Sequence, residues 1–371
     1  MMWMIVSYTT FAQENKPQIP TGSTLAAYCE FGNKGIKYAV LAFTDKSSRS
    51  YVVVERSELN IAPGKSVLAT GIINVNEINA IITSASARFD SLINKYSKFG
   101  LNEKNTKYYA SSGMAMVKNM SEFKDSIKSK TGKGLYIVDI NEEAKYTVAG
   151  TVPYEKILVA IVLDLGSGNS KGGYVTSENG ILSVETLSFP LGSTTIYNLV
   201  LGRIPGGLSD DKNEAKQQFL SALNVTIDSL KPEIRNSFEN VQNAQNRNEL
   251  YISGGAAYII TTLLYPEADQ NQQMIELDLN KLKAFYTDIQ DVEYYKKLSN
   301  RTFKNPKQEA TYKKVLEIYN YRQLISATKL LLTYINALSA EDRKIYFNTW
   351  GLYAMPAALL GRMLRGEIPR W

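Results

Sequence analysis

Residues 157–165 form an almost unbroken apolar run that reaches a carboxylate, Asp164, and passes directly into Gly166-Ser167-Gly168-Asn169-Ser170. A run of that length bounded by a glycine turn reads as a strand buried on both faces. Such a strand needs paired neighbours, and residues 173–176 and 184–189 predict two more strands directly after it. The same order occurs earlier in the chain. Residues 38–40 and 51–54 read as strands joined by the polar turn Thr44-Asp45-Lys46-Ser47-Ser48. Residues 76–96 then place Ile78, Ile81, Ile82, Ala85, Phe89, Leu92 and Ile93 on one helical face. Residues 107–111 and 135–140 predict strands and 121–131 a helix; from residue 141 another helix starts, with Glu142 and Glu143 in its first turn. Strand hairpins followed by helices, used twice, predict an α/β protein with a boundary near residues 150–156. Beyond Pro205 the pattern is mainly helical, with one strand at 250–253 that runs into Gly254 and Gly255.

Length agrees with this division, since 371 residues at 44% hydrophobic exceed one ordinary core. The formal net charge of +6 suits a surface that steers anions. No basic run is interleaved with aromatics, which argues against a nucleic acid duplex as partner. Histidine is absent, so histidine-based triads, Cys-His dyads and histidine-ligated zinc are excluded. Cys29 is the one cysteine, so no intramolecular disulfide forms; without a base to activate it, it reads as a small buried hydrophobe. Residues 1–23 read as the tail of a secretory signal peptide and a linker, an expectation of periplasmic or secreted location. No later stretch has the length and apolarity of a membrane span.

The chemistry concentrates around Asp164. Glycines let backbone N–H groups approach an anion, and Ser167, Asn169 and Ser170 add side-chain donors. Asp164 at the strand end is placed to hold Mg²⁺ beside a bound phosphate. An ordinary β-hairpin explains the same turn, and helix N-termini favour acids such as Glu142 and Glu143 for electrostatic reasons alone.

Several segments, taken in order, resemble the exopolyphosphatase and guanosine-pentaphosphate phosphohydrolase (Ppx/GppA) family. Asp164-Leu165-Gly166-Ser167-Gly168-Asn169-Ser170 is similar to its second phosphate loop. Ile137-Val138-Asp139-Ile140-Asn141-Glu142-Glu143-Ala144 resembles its strand-turn-Glu-Glu-Ala motif, and Ala110-Ser111-Ser112-Gly113-Met114 with Asn119 its Ala-Thr-Ser-Ala segment. Phe189-Pro190-Leu191-Gly192-Ser193 and Tyr251-Ile252-Ser253-Gly254-Gly255-Ala256-Ala257 resemble its Pro-Leu-Gly turn and later Gly-Gly loop. The resemblance implies two actin-like (ribonuclease H-like) α/β lobes with a cleft between them, 24–155 and 156–371, the second carrying a helical tail.

It also implies hydrolysis of terminal phosphoanhydrides of polyphosphate or a nucleotide, with Mg²⁺-assisted attack of water. By position, Glu143 is the general base and Asp164 the metal-linked carboxylate. Gly166, Ser167, Gly168, Asn169 and Ser170 cradle phosphate, with Gly254 and Gly255 on the far wall. A glutamate base suits a chain without histidine. The family's first phosphate loop is expected at residues 41–47, where Leu41-Ala42-Phe43-Thr44-Asp45-Lys46-Ser47 lacks its aspartate and glycine, a degenerate loop. Ala115 stands where the family carries an arginine. Two readings therefore stay open: the hydrolase, and a catalytically degenerate relative that binds a phosphorylated ligand or a protein partner. A sugar- or acetate-kinase-like transferase leaves Glu142 and Glu143 unexplained. The apolar stripes at 350–355 and 359–364 read as buried core or as a homodimer surface.

Overall fold

The computed structural model describes residues 19–32, 35–45, 50–59, 71–115, 117–209, 211–239, 247–268, 272–338 and 343–367. The signal-peptide reading therefore lies, up to residue 18, outside the described residues. The chain divides into two compact units, residues 1–146 with 353–371, and residues 147–352.

The first unit is built on a sheet of order β3-β2-β1-β4-β5. The strands are β1 (Thr24–Gly32), β2 (Gly35–Phe43), β3 (Tyr51–Leu59), β4 (Thr106–Ala110) and β5 (Leu135–Ile137). β1, β2 and β3 form an antiparallel meander, and β4 and β5 continue the sheet in parallel from β1. β1 is the strand that sequence reasoning misses, and its absence from the expectation displaces the first loop. Of the expected turn at 44–48, residues 46–48 lie outside the described residues; Asp45, just after β2, accepts the Ser50 N–H at 3.1 Å just before β3. The first hairpin of the unit lies one strand earlier, where Gly32 pairs with Gly35.

Odd-numbered β1 residues Leu25, Ala27, Cys29 and Phe31 enter a core with the helix Val75–Tyr96, whose Ile78, Ile81, Ile82, Ala85, Phe89, Leu92 and Ile93 are all buried as their spacing predicts. Cys29 is fully buried, and burial pushes its thiol well up. The even-numbered side chains take the opposite face, because strand residues alternate. There the C-terminal helix Ala354–Leu364 packs on β1. The tail helix thus belongs to the first unit, not to the 156–371 lobe in which the sequence placed it.

The second unit repeats the plan with one added edge strand, in the order β10-β11-β9-β6-β7-β8. The meander is β6 (Ala160–Leu165), β7 (Ser170–Glu178) and β8 (Ile181–Phe189), and the parallel strand beside β6 is β9 (Glu249–Ser253). β11 (Lys344–Asn348) runs parallel to β9, and β10 (Met274–Glu276) closes the edge antiparallel to β11. Two of these strands, β10 and β11, fall where only helices were expected. β10 has three residues and β11 five, and both lie in a stretch whose longer segments carry helical spacing. β6 is buried on both faces: Ile161, Leu163 and Leu165 enter the large helical core, while Ala160 and Val162 meet Val148, Val152, Val175 and Tyr251. Among the described residues no helix is long and apolar enough to cross a membrane.

Phe89 joins helix to sheet in the first unit, its ring edge-on to Tyr108 at 4.9 Å and 76°. Phe89→Ala is expected to lower the unfolding free energy by about 3–5 kcal/mol, the usual cost of emptying a close-packed aromatic site, as read by urea denaturation.

Candidate phosphate-binding site

Each unit ends its first strand in the same way. β6 runs Asp164-Leu165-Gly166 into its turn, and β1 runs Glu30-Phe31-Gly32. The register makes the two carboxylates equivalent. Asp164 sits opposite Lys171 on β7 and Ser253 on β9, while Glu30 sits opposite Lys37 on β2 and Tyr109 on β4. The contacts follow the register. Ser253 Oγ donates to Asp164 Oδ2 at 2.9 Å, and Lys171 Nζ lies 3.6 Å from Asp164 Oδ1. Tyr109 OH donates to Glu30 Oε2 at 2.7 Å, and Lys37 Nζ lies 3.6 Å from Glu30 Oε1. Asp164, Lys171, Ser253 and Glu30 are buried, and Lys37 is half-buried. Burial first, then Glu30, pushes the Tyr109 phenol well up, which keeps it a donor. The Glu30 carboxylate raises Lys37, so this ammonium stays charged at neutral pH.

The turn after β6 is shaped by the segment that resembles the Pro-Leu-Gly motif. Ser193 N–H donates to Gly166 O at 3.1 Å, Thr194 N–H to Ser167 O at 2.8 Å, and Thr195 Oγ1 to Gly168 O at 2.6 Å. The N-terminus of the helix Ser193–Gly202 is therefore taken up by the carbonyls of the turn. With its carbonyls held on one side, the turn leaves the Ser167 and Gly168 N–H groups with no protein acceptor among the described residues. Successive unpaired N–H groups in a turn suit an anion. Ser170 has a different part: its hydroxyl is buried and donates to Leu191 O at 2.7 Å, so the side chain anchors the turn.

Gly254 and Gly255 follow β9. Gly254 adopts φ +96°, and a Cβ there would meet Leu165 O at 2.5 Å. The helix Gly255–Leu264 thus starts against the end of β6, with its positive dipole end beside the turn. The structure brings Asp164, Gly166, Ser167, Gly168, Asn169, Ser170, Gly254 and Gly255 together within the second unit.

Glu143 lies in the first unit, in the opening turn of the helix Ile140–Thr151. Its Oε2 accepts the Ser112 N–H at 3.1 Å, and the neighbouring Ser111 N–H donates to Phe31 O at 3.1 Å, beside Gly32. Glu143 is thereby tied to the segment that borders the end of β1. Its neighbour Glu142 is committed elsewhere. It accepts the hydroxyls of Tyr136 and of Tyr146, the latter at 2.7 Å, and Tyr146 OH accepts from Arg362 Nη1 at 2.9 Å.

This placement corrects the expected first loop. Residues 41–47 do not follow the first strand of the unit; the Glu30-Phe31-Gly32 end does, so the carboxylate and the glycine are both present, with glutamate in place of aspartate. Sequence reasoning does not find Glu30, Lys37 or Lys171. The available signal was Gly32-Asn33-Lys34-Gly35, a two-residue connection flanked by glycines after the run 24–31.

The carboxylate at which Mg²⁺ was expected, Asp164, has both oxygens engaged by protein groups. One oxygen accepts from Ser253, and the other faces a buried ammonium that a dication would have to displace. Among the described residues no group of three or more acidic, histidine or cysteine side chains could hold a metal.

The architecture matches solved structures closely enough to decide the fold. A Ppx/GppA family member from Aquifex aeolicus superposes with a TM-score of 0.67 at 14% identity, over 93% of this chain and 99% of the other. An exopolyphosphatase from Cytophaga hutchinsonii gives 0.57 at 13% identity, over 92% and 98%. The chain has the Ppx/GppA fold. An exopolyphosphatase-like protein gives 0.56 at 16% identity, over 90% and 97%. No family model and no curated protein sequence matches the chain. The fold class is the expected actin-like α/β, while the units differ from the expected lobes 24–155 and 156–371 in giving residues 147–155 to the second unit and 353–371 to the first.

Gly254 and Gly255 separate close approach from helix geometry. Gly254→Ala is expected to cost about 3 kcal/mol or more, since a Cβ would overlap strand backbone and φ is positive. Gly255→Ala meets nothing within 4 Å and should be neutral or stabilising by up to about 1 kcal/mol. Chemical denaturation of both variants checks the contrast.

Proposed function

We propose that this protein binds a phosphate chain, polyphosphate or the phosphates of a nucleotide, at the turn after β6, and that it hydrolyses the terminal phosphoanhydride. Glu143 takes a proton from a water molecule, whose oxygen attacks the terminal phosphorus. The P–O bond to the bridging oxygen breaks, and that oxygen leaves on the shortened chain with the bonding pair. Phosphoryl transfer of this kind depends on positioning and on stabilising charge rather than on covalent help from the protein. The observation that carries the proposal is the pinned turn, whose carbonyls are held by the start of the helix Ser193–Gly202 while Ser167 and Gly168 keep their N–H groups for an acceptor. The Ppx/GppA fold supports it, as does the hold of Ser112 on Glu143 beside the end of β1.

A second reading, binding without turnover, is favoured by one observation: the carboxylate at each strand end is already paired with a lysine. Phosphate release from long-chain polyphosphate by the purified protein distinguishes the two. Glu143→Gln is expected to lower the rate by about 10²–10⁴-fold, the usual worth of a positioned base, with stability unchanged. Glu142→Gln, which loosens the Tyr136–Tyr146 contact, should act on stability instead. Equal release from the Glu143 variant and the parent would remove Glu143 from the mechanism. Tight polyphosphate binding with no release from the parent would establish the second reading.

A further inference from the structure

We propose that the positive charge at the strand end is built into the chain: Lys171 occupies the cation position opposite Asp164, as Lys37 does opposite Glu30 in the first unit, so that anion binding at the second-unit turn needs no divalent metal. This deepens the proposed function and rests on it for the identity of the anion.

Register sets the pairing. In an antiparallel pair, residues directly opposite on one face hold their side chains within reach of each other. Lys171 is opposite Asp164 and Lys37 is opposite Glu30, each two residues before the glycine that opens the turn. Both ammonium groups lie 3.6 Å from their carboxylates. Two independent hairpins, with different sequences, thus repeat one charge pair at one topological position.

The third strand completes the repeat. It brings a hydroxyl to the other carboxylate oxygen each time, Ser253 to Asp164 at 2.9 Å and Tyr109 to Glu30 at 2.7 Å. Each carboxylate therefore has one oxygen on a hydroxyl and the other on an ammonium. A metal ion needs several oxygen ligands and carries two positive charges. At Asp164 it would meet an ammonium whose side chain is only 10% exposed and has little water to retreat into. The local net charge is already balanced, and a dication would leave it strongly positive inside low-dielectric surroundings.

The arrangement suits a highly charged anion. Lys171 is the second residue of β7, directly after Ser170, so it lies where the turn rejoins the strand. The Ser167 and Gly168 N–H groups and the start of the helix Gly255–Leu264 add partial positive charge on the same unit.

The test titrates the full chain with Mn²⁺ alone, followed by the electron paramagnetic resonance signal of free Mn²⁺, and separately measures inorganic triphosphate binding by calorimetry in EDTA and in Mg²⁺. The parent protein is expected to bind no stoichiometric Mn²⁺ and to bind triphosphate in EDTA. Lys171→Met, which keeps the side-chain length and removes the charge, should weaken triphosphate binding in EDTA by about tenfold. A stoichiometric Mn²⁺ site in the parent that Asp164→Asn abolishes would overturn the inference without any need for a folded lysine variant. Triphosphate binding that appears only with Mg²⁺ would overturn it too, while leaving the proposed function standing. Absence of triphosphate binding under both conditions would remove the proposed function, and the Mn²⁺ titration would still decide whether the carboxylates hold metal.

Discussion

A buried carboxylate at the end of a strand is the constraint on which both units depend. Burial without partners would force such a group to neutralise or the strand to open. The sheet solves this by register, and only one arrangement does so. The antiparallel neighbour must present a cation directly opposite, and the parallel neighbour must present a hydroxyl. Slipping either strand by one residue turns the lysine or the hydroxyl to the other face. The Asp164–Lys171 and Glu30–Lys37 pairs therefore fix strand register at the place where the glycine turn must be held. Removing one partner leaves a buried charge behind, which is why such pairs constrain structure more than they stabilise it.

The turn after β6 shows how the shape of a turn follows from what surrounds it. Four residues, Gly166 to Asn169, join two strands and could adopt many shapes. The start of the helix Ser193–Gly202 selects one by donating to three successive carbonyls. Gly192 is needed for this approach, since a Cβ there would lie 2.4 Å from Ser167 O. Leu191 O is itself fixed from two sides, by Ser170 and by Tyr334. A helix N-terminus is usually described as an anion site in its own right. Here one helix spends its donors on the turn, and the turn offers its own to the solvent side.

Much of the second unit was legible because its signals are local. A long apolar run, a glycine turn and two β-rich segments specify β6, β7 and β8 within thirty or so residues, the scale of one supersecondary motif. Motif order singled out Gly254-Gly255, which the structure places beside the end of β6, and Glu143, which it places in the opening turn of a helix of the first unit. The first unit was less legible for a physical reason. β1 reads Thr-Leu-Ala-Ala-Tyr-Cys-Glu-Phe-Gly, with small residues where a strand signal favours branched ones, and it follows a stretch that reads as a leader. Missing it moved the first loop by one strand and made a present carboxylate look lost. Lys37 and Lys171 were invisible because a lysine in a strand ordinarily reads as a solvent face. Only the cross-strand partner shows that it is counter-charge.

The C-terminal helix carries the same lesson at the scale of a domain. Its stripe of Met355, Leu359, Leu360 and Met363 says that one face is buried but not against which core. Sequence order favours the second unit, and the structure gives it to the first. Its place is set at both ends of the helix: Arg362 reaches Tyr146 on the helix that carries Glu142 and Glu143, and Arg56 on β3 donates to Tyr353 OH at 3.2 Å just before the helix starts. The face of β1 that bears Tyr28 and Glu30 is thereby covered by the last helix of the chain. The surroundings of β1 thus include residues more than three hundred positions away, a dependence that no window of local sequence can display.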